Sequence, residues 1–246
     1  MRLIPLFLVL TTIAGADTRS DLESALRSLG GHDPIRARID FELFNWASDA
    51  KSPPVNGGRA CALVDATEAG LSIHWDRHQL DEATRPDPES AATADSARRA
   101  MAALSVPQVL TYLNIARDIS SVIDGAEVTG EERAELNGQE VRLLTFKLDP
   151  KLDAKNRKYI KEIEATARIW IGADGIPLAA ERSHRLKGRA MLVISFEAEE
   201  SERFEFARAG DRLVVTRHSK EGRGSGAGES NKHKSTATLT IAPPPA

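Results

Sequence analysis

Between Ile35 and Leu43 the residue type changes at every step. Ile35, Ala37, Ile39, Phe41 and Leu43 are apolar, and Arg36, Arg38, Asp40 and Glu42 between them are charged. In an extended chain successive side chains point to opposite faces, so one face of this segment is buried and the other wet. A half-wet strand belongs to an antiparallel sheet, because a parallel sheet covered on both sides reads as a continuous apolar run. Phe44 and Trp46 fall on the wet face, which predicts a bulge or twist at the strand's end.

The same grammar recurs along the chain. Residues 59–65 and 71–76 read as a hairpin through Glu68-Ala69-Gly70, with Leu71, Ile73 and Trp75 on one face. Asn137-Gly138 joins strands 127–136 and 139–148, and Asn-Gly is the strongest short hairpin signal. Strands are also expected at 164–171, 177–187, 190–207 (one bent strand or two), 212–218 and 235–241. Residues 222–230 are rich in Gly and Ser and predict a mobile loop. Helical spacing appears in three places. Leu22, Leu26 and Leu29 follow a capping box at Ser20 and Glu23. Ala94, Ala97, Met101 and Leu104 follow Asp87-Pro88. Val109, Tyr112, Leu113, Ala116, Ile119 and Ile123 form one stripe from Ser105 to Gly125. The expectation is one mainly β domain over residues 17–241, with about three helices lying over a large antiparallel sheet.

The first residues read as a secretory signal peptide. Arg2 precedes an apolar run over residues 3–13, and Ala14-Gly15-Ala16 supplies the small-residue site after which a signal peptidase cuts. The run is too short for a membrane span, which needs about 20 apolar residues. The mature chain would begin near Asp17, work in the periplasm and carry no transmembrane segment. Its end, 242–246 (Ala-Pro-Pro-Pro-Ala), cannot join a sheet and reads as a disordered tail. Hydrophobic residues make up 41% and charged residues 28% of the 246 residues, with net charge -3. That balance supplies a core, and without clustered Lys and Arg it argues against nucleic-acid binding. A basic stretch at 151–161 is broken by Asp153 and reads as a solvated connection. Cys61, the only cysteine, lies in an apolar run and reads as a small buried hydrophobe.

Reactive motifs are absent. There is no H-E-x-x-H, no G-x-S-x-G elbow and no phosphate loop. His74 and His78 could share a strand face, but no further ligand marks a metal site. His32, His184, His218 and His233 are scattered. Glu131-Glu132 and Glu199-Glu200 read as solvated charges. No catalytic residue, metal or cofactor is expected.

Two segments are more specific: the strand Gly138-Gln139-Glu140-Val141-Arg142-Leu143-Leu144-Thr145-Phe146-Lys147-Leu148, and the hairpin Ala167-Arg168-Ile169-Trp170-Ile171-Gly172-Ala173-Asp174-Gly175-Ile176-Pro177-Leu178. With the leader, the Leu-rich helix and the aromatic first strand (Phe41, Phe44, Trp46), they resemble the periplasmic lipoprotein-carrier (outer-membrane lipoprotein-sorting protein) superfamily. The resemblance implies an unclosed antiparallel β-barrel lidded by helices, whose concave face cradles acyl chains without chemistry. It also implies an early-strand arginine that holds the lid shut, for which Arg36 and Arg38 are the candidates. The concave face would then carry Ile39, Phe41, Leu43, Ile73, Trp75, Leu144, Phe146, Ile169, Ile171, Ile194 and Phe196. The expected ligand is a lipid or acylated protein. The alternative is an envelope sensor or structural module docking onto another envelope protein. A hydrolase with an unmarked site is a third reading.

Overall fold

The structure is a computed structural model that describes residues 15–47, 56–84, 91–150, 152, 157–190 and 194–242. Most of the leader, the 85–90 link, most of the 151–156 connection and the last four residues of the tail lie outside it. Ten strands form one antiparallel sheet in the order β3-β2-β1-β10-β9-β8-β7-β6-β5-β4. The strands are β1 (Ile35–Ala47), β2 (Asn56–Thr67), β3 (Gly70–Trp75), β4 (Glu127–Leu136), β5 (Gln139–Lys147), β6 (Ile160–Ile171), β7 (Pro177–Ala190), β8 (Ile194–Ala209), β9 (Arg212–Gly226) and β10 (Glu229–Ile241). Two meanders are thus joined where β10 pairs with β1, Phe41 facing Ala237. The outermost strands β3 and β4 are not paired to each other, so the barrel is unclosed.

Helices α1 (Gly15–Ser28), α2 (Arg77–Thr84), α3 (Ala91–Ala103), α4 (Val106–Leu113) and α5 (Ala116–Ile123) accompany the sheet. Among the described residues five helices replace the expected three or so. α2 follows the third strand, where no helix was expected. The single stripe of Val109 to Ile123 is broken in two at Asn114. The Asn114 amide donates to Leu29 O (3.1 Å), and its Oδ1 accepts from Leu213 N–H (3.2 Å) and Ala116 N–H (3.3 Å). A side chain that satisfies backbone groups on three elements stabilises the break. α1 also begins earlier than its capping box. Ser20 lies inside the helix, and Glu23 pairs with Arg19 at 2.8 Å instead.

One continuous core joins Leu22, Leu26 and Leu29 of α1, Val109, Tyr112 and Leu113 of α4, and Ile119 and Ile123 of α5 to the inner face of the sheet. Polar ties fasten α1. Thr18 is buried and donates to Glu131 (2.5 Å), Arg142 reaches Asp21 (3.1 Å), and Arg19 donates to the carbonyls of Ile123 and Ala126 where α5 ends.

The predicted loop at 222–230 is strand. β9 runs to Gly226, Ala227 and Gly228 (φ 53 and 82) make a two-residue turn, and β10 starts at Glu229. Two successive positive φ angles define the turn that matches strand twist, and Asn137-Gly138 (φ 53 and 80) repeats it. β1 carries no register shift against either neighbour, so the expected bulge at Phe44 is not present. Bulges lie instead in β4, in β6 at Lys161, in β7 at Leu178, and in β9. Ala242 extends the pairing of the C-terminus by donating to Arg36 O (2.9 Å).

Candidate functional site

The bulge in β9 decides what the inner face presents. Val215 faces Phe206, but the next pair is Arg217 with Glu205, so Thr216 is the extra residue. A bulge exchanges the faces of all that follows. Leu213 and Val215 point inward before it; His218, Lys220, Gly222 and Gly224 do so after it. With plain alternation through Thr216 and no bulge, Arg217, Ser219 and Glu221 would face the core.

Cross-strand pairing then lays out rungs on that inner face. One rung reads Phe41, Ala237, His218, Phe204, Ala180, Ile169, Leu144. The next reads Leu43, Ser235, Lys220, Glu202, Arg182, Ala167, Phe146. A third carries Asn45, His233, Gly222, Glu200 and His184. The inner face thus passes from an apolar region under the helices to a belt of charge.

His218 stands at the seam. Its ring stacks on Phe204 (centroids 4.3 Å apart, 3° between planes), and its Nδ1 lies 2.9 Å from the Tyr112 hydroxyl on α4. The residue is 7% exposed, and Nε2 is buried with no hydrogen-bond partner among the described residues. Burial pushes the imidazole down to about 4, so it is neutral at physiological pH, and burial raises the Tyr112 phenol. In the next rung Glu202 is buried between Arg182 and Lys220 (3.1 Å). Burial opposes its charge, but the two cations outweigh that and hold its carboxyl below the ordinary range. Lys220 also reaches Glu200 at 2.7 Å, and His233 approaches Glu200 at 3.4 Å. The His233 ring lies over Gly222, where any Cβ would collide with it.

The outer face of the same strands is charged too, in a ladder between β7 and β8. Glu181 faces Arg203, Arg185 faces Glu199 and Lys187 faces Glu197 on the outer face, while Arg182 faces Glu202 and His184 faces Glu200 on the inner one. A trough of about 980 Å³ runs mainly along the outer side, lined by Trp46, Arg185, Glu199, Arg223 and Lys232 among others.

The residues expected on the concave face do not share one environment. Ile39, Phe41, Leu144, Phe146, Ile169 and Ile171 are buried together in the core, Phe146 fully, with helices filling the space above them. Leu43, Ile73 and Trp75 are partly buried against that core. Phe196 lies beyond the charged belt, half-buried, in contact with Gly188 and Gly226. The Ile194 side chain lies outside the described residues.

Arg36 pairs with Asp65 (3.4 Å) and Arg38 with Asp40 (3.0 Å), both on the outer face, so neither holds the helices. Cys61 is also on the outer face, half-buried beside Asp40, and is not part of the core. Burial and Asp40 raise its thiol, which keeps it protonated. His74 pairs with Asp65 (3.6 Å), while His78 sits on α2 beside Glu82 (3.7 Å), so the two do not share a strand. Glu131 and Glu200 are bonded groups and not merely solvated charges. Among the described residues no group of three or more His, Cys, Asp or Glu is placed to hold a metal ion, and no helix is long and apolar enough to cross a membrane.

His218, Tyr112, Glu202, Arg182 and Lys220 are absent from the sequence-derived site. A usable signal existed in the complementary charges of the 181–187 and 197–203 segments. No family model matches the chain, and no curated protein matches it.

Proposed function

We propose that this protein is a periplasmic, non-catalytic binding protein for a lipid or acylated ligand, whose ligand-free form closes its helices over the apolar face. One observation carries the reading: the apolar inner face of an unclosed sheet is covered by short helices, with α4 meeting β9 through the buried Tyr112–His218 bond. An acyl chain takes the place of helix side chains on Phe41, Leu144 and Phe146 when α4 moves away. Each buried CH₂ contributes about 0.8 kcal/mol, so partial burial of one chain suffices for binding without any polar motif.

The test is saturable uptake of a fluorescent fatty-acid probe, read beside thermal melting, with native mass spectrometry of protein purified from its own envelope fraction. Uptake and co-purified lipid are the expected results. A protein that takes up no apolar probe, together with a Phe146→Asp variant that simply unfolds, overturns the reading. N-terminal sequencing of the same material is expected to begin at or near Asp17.

A second reading is favoured by the filled core. With the inner face closed, the protein is an envelope docking module, and the outer trough beside Trp46 and Arg223 supplies its polar contact surface. Envelope association lost on Arg223→Glu, without probe uptake, favours this second reading.

A further inference from the structure

We propose that His218 is the polar end of the ligand site and donates its Nε2–H to a neutral oxygen, the ester or amide carbonyl of an acylated ligand. The inference rests on the apolar-ligand reading above and names the chemistry that reading leaves open.

The ring proton is assigned from the network. A phenol is the more acidic hydroxyl-type donor and a neutral imidazole nitrogen the better acceptor, so in this pair the Tyr112 hydroxyl donates to the His218 ring. The phenol proton then points at His218 Nδ1, 2.9 Å away. Nε2 therefore carries the ring hydrogen, and that donor is buried without an acceptor among the described residues. An unpaired buried donor is costly, and a group that supplies an acceptor there recovers the loss.

Position and charge narrow the class. His218 sits between Ala237 and Phe204 on an apolar rung, next to the rung of Lys220, Glu202 and Arg182. Both cations are already matched to carboxylates, and Glu202 is itself buried. An anionic head would meet carboxylates whose counter-charges are spent. A neutral carbonyl meets a donor, with its chain running along the apolar rungs.

The experiment compares one pyrene-labelled acyl chain presented as its glycerol monoester and as its free acid. Wild-type protein is expected to bind the ester about tenfold more tightly. His218→Phe is expected to bring the two affinities together. Tyr112→Phe, which removes the hydroxyl that holds the ring hydrogen on Nε2, is expected to weaken the preference without abolishing it. Imidazole ¹⁵N NMR of the wild type supplies a readout that needs no variant: an Nε2–H tautomer at neutral pH whose Nε2 resonance moves with ester and not with acid. Equal binding of both probes, a preference that survives His218→Phe, or an unmoved Nε2 resonance overturns the assignment and leaves the apolar-ligand reading in place. Failure to bind either probe overturns both.

Discussion

The half of the sheet under the helices and the half beyond them are built from the same strands under the same alternation, yet they are different materials. Under α1, α4 and α5 the inward positions are Ile39, Phe41, Leu144, Phe146 and Ile169; the outward ones are polar on β1, while on β5 to β7 Val141, Leu143, Trp170 and Ala179 form a second, smaller apolar cluster. Past His218 both faces are polar: Glu202 and Lys220 inward, Arg185, Glu199 and Arg223 outward. What covers a face, more than the strand itself, decides what it carries. Hydrophobic burial holds the first half, and matched charges accompany the second. The two halves should therefore respond to different perturbations.

Phe146→Asp tests the covered half most severely. It removes a fully buried aromatic side chain and places a charge without a partner there, at a cost of about 4 kcal/mol or more. Loss of the cooperative thermal transition is the expected outcome. A folded variant with near-normal melting would mean that the face opens readily.

The seam should be sensitive to acid. The native His218 imidazole titrates near 4 against an ordinary 6.5, so between those values the unfolded chain binds a proton that the native protein does not. Stability therefore rises with pH through that window, is fully present above it, and is lost as pH falls, by on the order of 3 kcal/mol. Burial is the main cause; Glu202 and Glu200 favour the charged ring, and Lys220 and Arg182 oppose it. The depressed Glu202 carboxyl adds a loss of the same sign at still lower pH. Urea titrations at pH 7 and 4.5 measure the slope, and His218→Phe should flatten it.

Glu202→Gln probes the belt. It leaves Lys220 and a half-exposed Arg182 with weaker partners, and solvent screens part of the loss, so about 1–2 kcal/mol is expected in chemical denaturation. On the outer face, Arg223→Ala removes a largely exposed pair with Glu199 and should shift stability by no more than about 0.5 kcal/mol. An Arg223 effect larger than the Glu202 effect would erase the distinction between the faces of the far half.

The strands were legible in the sequence because alternation and turn chemistry are local. β1 and the Asn137-Gly138 and Asp174-Gly175 turns fall where the residues place them. The Gly222–Gly226 strand was misread because glycine argues for a loop. Here the missing side chains make room for His233 and Phe196 from neighbouring strands. The break at Asn114 has a weak local signal in its bond to Ala116 N–H, but its other partners, Leu29 and Leu213, are remote in sequence. The seam was hidden for the same reason. His218 and Tyr112 are 106 residues apart, and the bulge at Thr216 that turns the ring inward leaves no mark on the pattern.

The charge ladder between β7 and β8 bears on how the chain finds its register. Hydrophobic alternation cannot choose a pairing where both faces are wet, and such strands are prone to slip. In the native pairing the positions opposite Glu181, Arg182, His184, Arg185 and Lys187 are Arg203, Glu202, Glu200, Glu199 and Glu197. A slip of two residues in one direction sets Lys187 against Ser195 and His184 against Ala198; in the other it sets Arg182 against Phe204 and Arg185 against Ser201. Opposite charges directly across a strand pair are favourable, and each slip forfeits several of them. The hairpin thus carries its own alignment code, readable before the helices dock. Because that code is written in exposed charge, refolding in concentrated salt should populate misaligned pairings that dilute buffer suppresses.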